Sequence, residues 1–262
     1  MLQLMEDRKH FSYNQLITML ACPYRYYLQY VEERGWDYVP SSLSFGTAIH
    51  ESISVFHISL QDGGIRDINQ FTNAFHSRFD EEVTENNVMF KDGNEYDELL
   101  IKGEKLVIEY VNTFGTLRPA EIEMEFRLPL VDTYTGTLLE KDVVGKVDLI
   151  TAEDEIHELK TSSSSIPESS VEENLQLVLY GWSFKMLFGK EPSKLVLINM
   201  VKSKQPKIQV LNARFDAVKE RKLLNLMLKV NEAIEKQIFY PNPKGTYGCN
   251  SCCYSLNCEY AF

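Results

Sequence analysis

The stretch "VVGKVDLITAEDEIHELKTS", Val143 to Ser162, decides the fold. Two apolar runs flank the polar turn "AEDE", and the runs have the length and β-branched content of strands. Asp148 sits inside the first run, and Glu158 and Lys160 close the second. Charged side chains are depleted from strands and costly to bury unpaired. Two carboxylates and an ammonium in these places therefore ask for a chemical reason.

One reason is a divalent cation. A hard dication takes several oxygen ligands, and carboxylates supply both the ligands and the balancing charge. Asp148 and Glu158 lie ten positions apart on adjacent predicted strands, so a tight turn can bring them together. Lys160 follows Glu158 by two, and the period of a strand puts both side chains on one face. An ammonium beside a metal can orient a water or balance charge developing on a phosphate. This is the equipment of metal-assisted phosphodiester hydrolysis. Glu158-x-Lys160 by itself also fits the exposed face of an ordinary hairpin.

Outward from this pair, the chain is an α/β alternation. Upstream, Ser12 is a plausible N-cap for a helix running toward Cys22, and Pro23 opens a second helix. "SSLSFGTAIHESISVFHISL" predicts a helix with His50 in its first turns, and helices follow near 68–83 and 95–114, with a loop between. At Pro119 the periodicity changes to two, and "EIEMEFRLPLV" predicts a half-buried strand. Downstream, "SVEENLQLVLYGWSFKMLFG" predicts one helix with acidic residues in its first turn and Gly189 at its end. "SKLVLINMVK" and "PKIQVLNARF" predict strands, and "DAVKERKLLNLMLKVNEAIEKQ" a long amphipathic helix. The expected organisation is one integrated unit: a helical N-terminal region over 1–118, a mixed sheet flanked by helices over 119–240, and a cysteine-bound tail over 241–262.

The charge balance, 27 basic against 38 acidic residues, excludes a uniformly basic nucleic-acid-binding surface but allows a local basic groove. "MLQLMEDRKHF" carries charges where a signal peptide needs an apolar run, and no 18-residue apolar stretch occurs, so a cytoplasmic protein with no membrane partner is expected. No G-x-x-x-x-G-K-[ST] motif is present, so any unwinding would come from a partner.

Four of the five cysteines, Cys249, Cys252, Cys253 and Cys258, fall in the last stretch of the chain, and Cys22 stands near its start. In a reducing compartment this spacing favours a metal or cluster site over disulfides. Four thiolates can hold zinc or a four-iron–four-sulfur cluster, and spacing alone does not choose between them.

The motifs, taken together, resemble the PD-(D/E)xK nuclease superfamily and within it the RecB-like branch. The resemblance rests on Gly46-Thr47-Ala48-Ile49-His50, Gly145-Lys146-Val147-Asp148, Glu158-Leu159-Lys160 and Gln176-Leu177-Val178-Leu179-Tyr180, in that order. The proline that names the superfamily is missing before Asp148, as is usual for this branch. The resemblance implies a restriction-endonuclease-like core. It implies a Mg²⁺ or Mn²⁺ ion held by His50, Asp148, Glu158 and the backbone carbonyl of Leu159, with Lys160 as the catalytic lysine. Gln176 and Tyr180, at i and i+4 on one helix face, would orient Lys160 or contact DNA.

The same branch uses an N-terminal cysteine, often followed by proline, with a C-terminal C-x2-C-x5-C, a layout shared by the AddB nuclease domain and the cluster-bearing CRISPR adaptation nuclease. The resemblance thus implies a four-iron–four-sulfur cluster on Cys22, Cys249, Cys252 and Cys258, with Cys253 spare. The expected activity is that of a metal-dependent deoxyribonuclease, an exonuclease or flap nuclease on single-stranded DNA, in recombination, repair or spacer acquisition. A helicase, recombination or CRISPR adaptation partner goes with it. Lys146, Lys202, Lys204, Lys207 and Arg25 are candidates for a phosphate track. Two other classes fit parts of the sequence: a non-catalytic cluster-bearing subunit that binds DNA or a partner, and a zinc-stapled RNA-processing protein.

Overall fold

The computed structural model describes residues 9–64, 67–131, 135–136, 138–245 and 248–261. The opening residues 1–8, read above for a targeting signal, lie outside these, as do parts of the 132–137 connection and of the 241–248 connector.

The hairpin quoted at the outset is the centre of the sheet. Strand β5 (Leu138–Thr151) turns through residues 152–154 into β6 (Glu155–Ser162). β5 pairs antiparallel along its length with β4 (Pro119–Val131). β6 continues the sheet by parallel pairing with β7 (Lys194–Val201), which pairs antiparallel with β8 (Lys207–Ala213). The sheet is therefore mixed, as expected.

The other edge of β5 is shared. A short strand β1 (Lys9–Ser12), inside the region expected to be helical, runs parallel to Lys141–Val144 of β5. β6 pairs with β5 only at Leu149 and Ile150. Between these ladders, Gly145 to Asp148 of β5 face a fork rather than a neighbouring strand, among the described residues. Gly145 permits this bend of packing: a Cβ there would come within 2.5 Å of the Phe126 ring.

Helices cover both faces. On one side lie α1 (Tyr13–Ala21), α7 (Leu175–Phe188) and α8 (Ala217–Glu235), and on the other α3 (Ser41–Gln61), α4 (Ile68–Glu85) and α5 (Glu95–Phe114). β7 separates the two cores by alternation: Leu195 and Leu197 point to the first, Val196, Ile198 and Met200 to the second. Each such fully buried aliphatic contributes about 1.5–3 kcal/mol. The second core is aromatic, with Phe45, Phe56, Phe71, Phe75 and Phe79 all shielded from solvent. No helix among the described residues is long and apolar enough to cross a membrane.

Local signals set the helix ends. Ser12 and Gln15 form a reciprocal capping box, and Pro23 is the first residue of α2 (Pro23–Tyr30). Gly189 ends α7 with a left-handed φ of 68°. The expected single helix from Ser170 to Gly189 is two: a turn, α6 (Glu168–Val171), and then α7, because Asn174 caps the N–H groups of Gln176 and Leu177. Glu172 and Glu173 thus fall before the helix, not in its first turn. The loop expected between α4 and α5 holds a two-residue strand β3 (Val88–Met89) paired with β2 (Val39–Pro40).

Candidate active site

Asp148 is the last β5 residue before pairing with β6 begins, and Glu158 is the first β6 residue after it ends. Both carboxylates are buried at the fork. Asp148 Oδ2 accepts the backbone N–H of Leu159 at 2.8 Å, and its Oδ1 lies 3.5 Å from Nδ1 of His50. Lys160 Nζ donates to Glu158 Oε1 at 2.5 Å, as the two-residue strand period required. Glu158 Oε2 is buried without a hydrogen-bond partner.

His50 arrives from α3, as its tenth residue rather than in its first turns. The approach of α3 is set by Gly46, whose missing Cβ would sit 3.3 Å from Thr161 Oγ1 on β6. Leu159 opposes Ile198 in the β6–β7 ladder. Gln176 and Tyr180 share a face of α7, and Gln176 Nε2 donates to the Tyr180 hydroxyl at 2.9 Å. That leaves the phenolic hydrogen of Tyr180 free to donate onward, while Gln176 Oε1 is buried with no partner.

The electrostatics follow from burial and crowding. Burial, then the charge of Asp148, pushes the Glu158 carboxyl up to about 8, against the pull of Lys160 and His50. Burial also works against the Asp148 anion, but the hydrogen bond and charge of His50 and the Leu159 N–H outweigh it and hold Asp148 below the usual carboxylate range. Lys160 loses charge stability by burial and more than regains it from Glu158, so it stays protonated. Burial and the nearby Glu158 carboxylate raise the Tyr180 phenol, which stays neutral. Tyr13, directly after the N-cap Ser12, is close enough for its charge to bear on Lys160 and Tyr180.

One residue of this neighbourhood escaped the sequence reading. Glu123 on β4 joins His50 and Asp148 in the one group of three or more His, Cys, Asp or Glu, among the described residues, whose ligand atoms all lie within 4.8 Å of one another. Its only signal was the period-two run of glutamates in "EIEMEF". Lys146 forms an ion pair with Glu123. A nitrogen and two carboxylate oxygens at this separation suit a divalent cation, whose cis and trans ligands in an octahedron stand about 3 and about 4 Å apart.

The thiols form a second centre. Cys22, Cys249, Cys252 and Cys258 line one cleft, closed by Pro241, Tyr254 and Tyr260. Cys253 is buried beside it against Leu28 and Tyr254. Its thiol bonds to the Cys252 sulfur and pulls that thiol down to about 6. Burial first, and then the charges of Cys252, Cys249 and Cys22, raise the Cys258 thiol. The tail is tied to the N-terminal helices by hydrogen bonds from Asn242 N–H to Cys22 Sγ (3.3 Å), Asp37 N–H to the Cys253 carbonyl (2.9 Å) and the Tyr254 hydroxyl to the Arg34 carbonyl (3.0 Å).

The basic candidates divide. Arg25 lines the thiol cleft rather than the carboxylate fork, because α2 carries it to the cysteines. Lys202 lies over the Phe45 ring at 4.7 Å, and burial with Lys91 nearby lowers it to about 8. Lys204, in the β7–β8 connection, and Lys207, the first residue of β8, are exposed.

Comparison with known proteins follows this geometry. Residues 10–259 match the family model of the PD-(D/E)XK nuclease superfamily. The crystal structure of a candidate exonuclease from Eubacterium rectale superposes with a TM-score of 0.60 at 10% identity, covering 98% of this chain and 92% of that one. The crystal structure of SSO0001 covers 95% of this chain and 96% of its own, at 16% identity and a TM-score of 0.39. No curated protein matches the chain by sequence.

Proposed function

The chain belongs to the PD-(D/E)XK nuclease superfamily, and from that footing we propose that it is a metal-dependent deoxyribonuclease of the RecB-like branch. The observation that carries the reading is the fork of β5 and β6, where Asp148, Glu158, Lys160 and His50 converge. The buried, unpartnered Glu158 Oε2 supports a cation in this place, since such an oxygen otherwise bears its full desolvation cost.

His50, Asp148, Glu158 and the carbonyl of Leu159 would hold Mg²⁺ or Mn²⁺, which polarises the scissile phosphate and lowers the pKa of a bound water. Lys160, kept charged by Glu158, orients the attacking water and faces the charge that builds on the phosphate. Tyr180, neutral and anchored by Gln176, donates toward the same region. Asp148 is kept anionic by His50 and the Leu159 N–H.

The preferred substrate is single-stranded DNA, cut as an exonuclease or flap nuclease in recombination, repair or spacer acquisition alongside a DNA-opening partner. The support is the group of lysines near one end of the sheet on an acidic protein, with Lys204 and Lys207 exposed and Lys202 packed over Phe45. Lys202 follows Val201, which pairs with Ser162, so Lys202, Lys204 and Lys207 lie about 10 Å beyond Lys160 along the strand direction.

The four-thiol cleft would hold a four-iron–four-sulfur cluster that joins the two ends of the chain. Cys22 followed by Pro23, with Cys249-x2-Cys252-x5-Cys258, is the layout that supports the cluster.

End-labelled single- and double-stranded DNA and RNA, digested with Mg²⁺, Mn²⁺ or EDTA, test the reading. Single-stranded DNA should be degraded only with metal. Absence of metal-dependent cleavage of DNA overturns the assignment.

A further inference from the structure

Glu123 has a left-handed backbone, φ 53°, inside strand β4. A side-chain-bearing residue avoids this region because its Cβ crowds the following carbonyl. Its neighbours hold register, Ile122 opposite Leu149 and Met124 opposite Val147, so Glu123 is the position that faces Asp148. The half-buried Glu123 carboxylate, a ring nitrogen of His50 and a carboxylate oxygen of Asp148 then lie within 4.8 Å of one another. A glycine would remove the backbone strain, and any neutral residue would remove the repulsion between two adjacent carboxylates. Beside them stands a third carboxylate, Glu158, 1% exposed, whose Oε2 has no partner. Its charge environment includes both Asp148 and His50. Strain and crowding of like charge meet at Glu123, His50 and Asp148, with Glu158 outside that 4.8 Å group but within reach of the Asp148 charge, and a dication relieves the crowding.

We propose, building on the metal-site reading above, that Glu123 is a further ligand of the divalent cation, and that Lys146 is its place-holder. Lys146 forms an ion pair with Glu123 and so competes with a cation for that carboxylate. It precedes Asp148 by two on β5 and so shares its face. A cation that takes the Glu123 carboxylate would displace this half-exposed ammonium and leave it to pair with a phosphate. The left-handed backbone of Glu123 falls at the position that opposes Asp148 across the β4–β5 ladder, so the strain sits at the fork.

The test is Mn²⁺ binding to the full chain without DNA, by calorimetry and by the EPR signal of free Mn²⁺. Four variants are compared: Glu123→Gln, Glu123→Gly, Lys146→Met and Asp148→Asn. Glu123→Gln should weaken Mn²⁺ binding at least tenfold, and Lys146→Met should tighten it several-fold by removing the competitor. Glu123→Gly should lose the same affinity while its melting temperature holds or rises, a combination that a merely structural glutamate would not give. Wild-type affinity in Glu123→Gln with loss in Asp148→Asn overturns the role of Glu123 and leaves the metal site standing. Wild-type affinity in Asp148→Asn as well overturns the site itself. Unchanged or weaker binding in Lys146→Met overturns the place-holder.

Discussion

Asp148 accepts the main-chain N–H of Leu159 across the point where β5 and β6 stop pairing. A side chain thus takes over the ladder hydrogen bond that a backbone carbonyl would otherwise supply, and the same carboxylate turns its other oxygen to His50. Structure and chemistry share one group. Asp148→Ala removes both, and it leaves a buried N–H unpaired at about 1–3 kcal/mol. Asp148→Asn keeps an oxygen for Leu159 while discarding the charge. The asparagine variant should melt within a few degrees of wild type and show no cleavage, whereas the alanine variant should lose stability too. Equal melting temperatures for the two variants would mean that the Leu159 bond contributes nothing to the fold.

Glu158 gives the opposite relation between stability and function. Its folded carboxyl titrates at about 8 against an ordinary 4.5. Between those values the folded chain holds a proton that the unfolded chain has released, so stability is full below pH 4.5 and falls as pH rises toward 8. Glu158→Gln abolishes this loss. In EDTA at pH 8 the variant should be more stable than wild type by roughly 4 kcal/mol, a shift of about 10 degrees. At pH 5 the advantage should shrink toward zero. Cleavage should vanish at both. An advantage independent of pH would remove burial of the charge as its cause.

His57, two turns beyond His50 on α3, is buried against Tyr110, with its Nε2 3.0 Å from the Tyr110 hydroxyl. Burial first, then the nearby His157, lowers it to about 3 from 6.5. Here the unfolded chain binds the extra proton between those values, so stability is full above pH 6.5 and is lost as pH falls, by about 1.4 kcal/mol per unit. Ring ¹⁵N shifts should show a neutral His57 at pH 5 in the folded protein. A His57 ring that titrates near 6.5 would contradict the burial argument.

How much of this was legible in sequence depended on range. The hairpin, the Ser12 cap, Pro23 and Gly189 announce themselves because their causes lie within a few residues. β1 did not, since "KHFS" becomes a strand only by pairing with Lys141–Val144, far along the chain. Asn174 read as one more polar residue of a helix, although its side chain starts one. The order of motifs located Asp148, Glu158, Lys160 and His50, which the fold brings to one fork. Glu123 was hidden because only the pairing of β4 with β5 puts it opposite Asp148, and that register is not readable from its local spacing. Arg25 looked like any basic residue until α2 placed it among the thiols.

The thiol cleft yields the last prediction. The ends of the chain meet through part-buried bonds at Asn242 and Tyr254, exposed bonds to Asp37, and one small buried cluster of Leu28, Cys253 and Tyr254. Hydrogen bonds of this kind contribute about 1 kcal/mol each, and three buried residues are a small core to set against the chain entropy of an irregular tail. A cluster on Cys22, Cys249, Cys252 and Cys258 supplies the missing attachment, because metal binding to ligands from both ends is itself folding free energy. Anaerobically purified protein should be brown, with about four irons and four sulfides per chain. Cys22→Ser should lose the colour and expose the connector around Lys244 to trypsin, while the sheet, secured by its own two cores, keeps its circular dichroism. Cys253 packs outside the cleft, so Cys253→Ala should retain iron; it is a better control than serine, which would bury a hydroxyl against Leu28 and Tyr254. One zinc and no iron would replace the cluster with a metal staple. A colourless Cys22→Ser protein that resists trypsin as wild type does would remove the staple altogether.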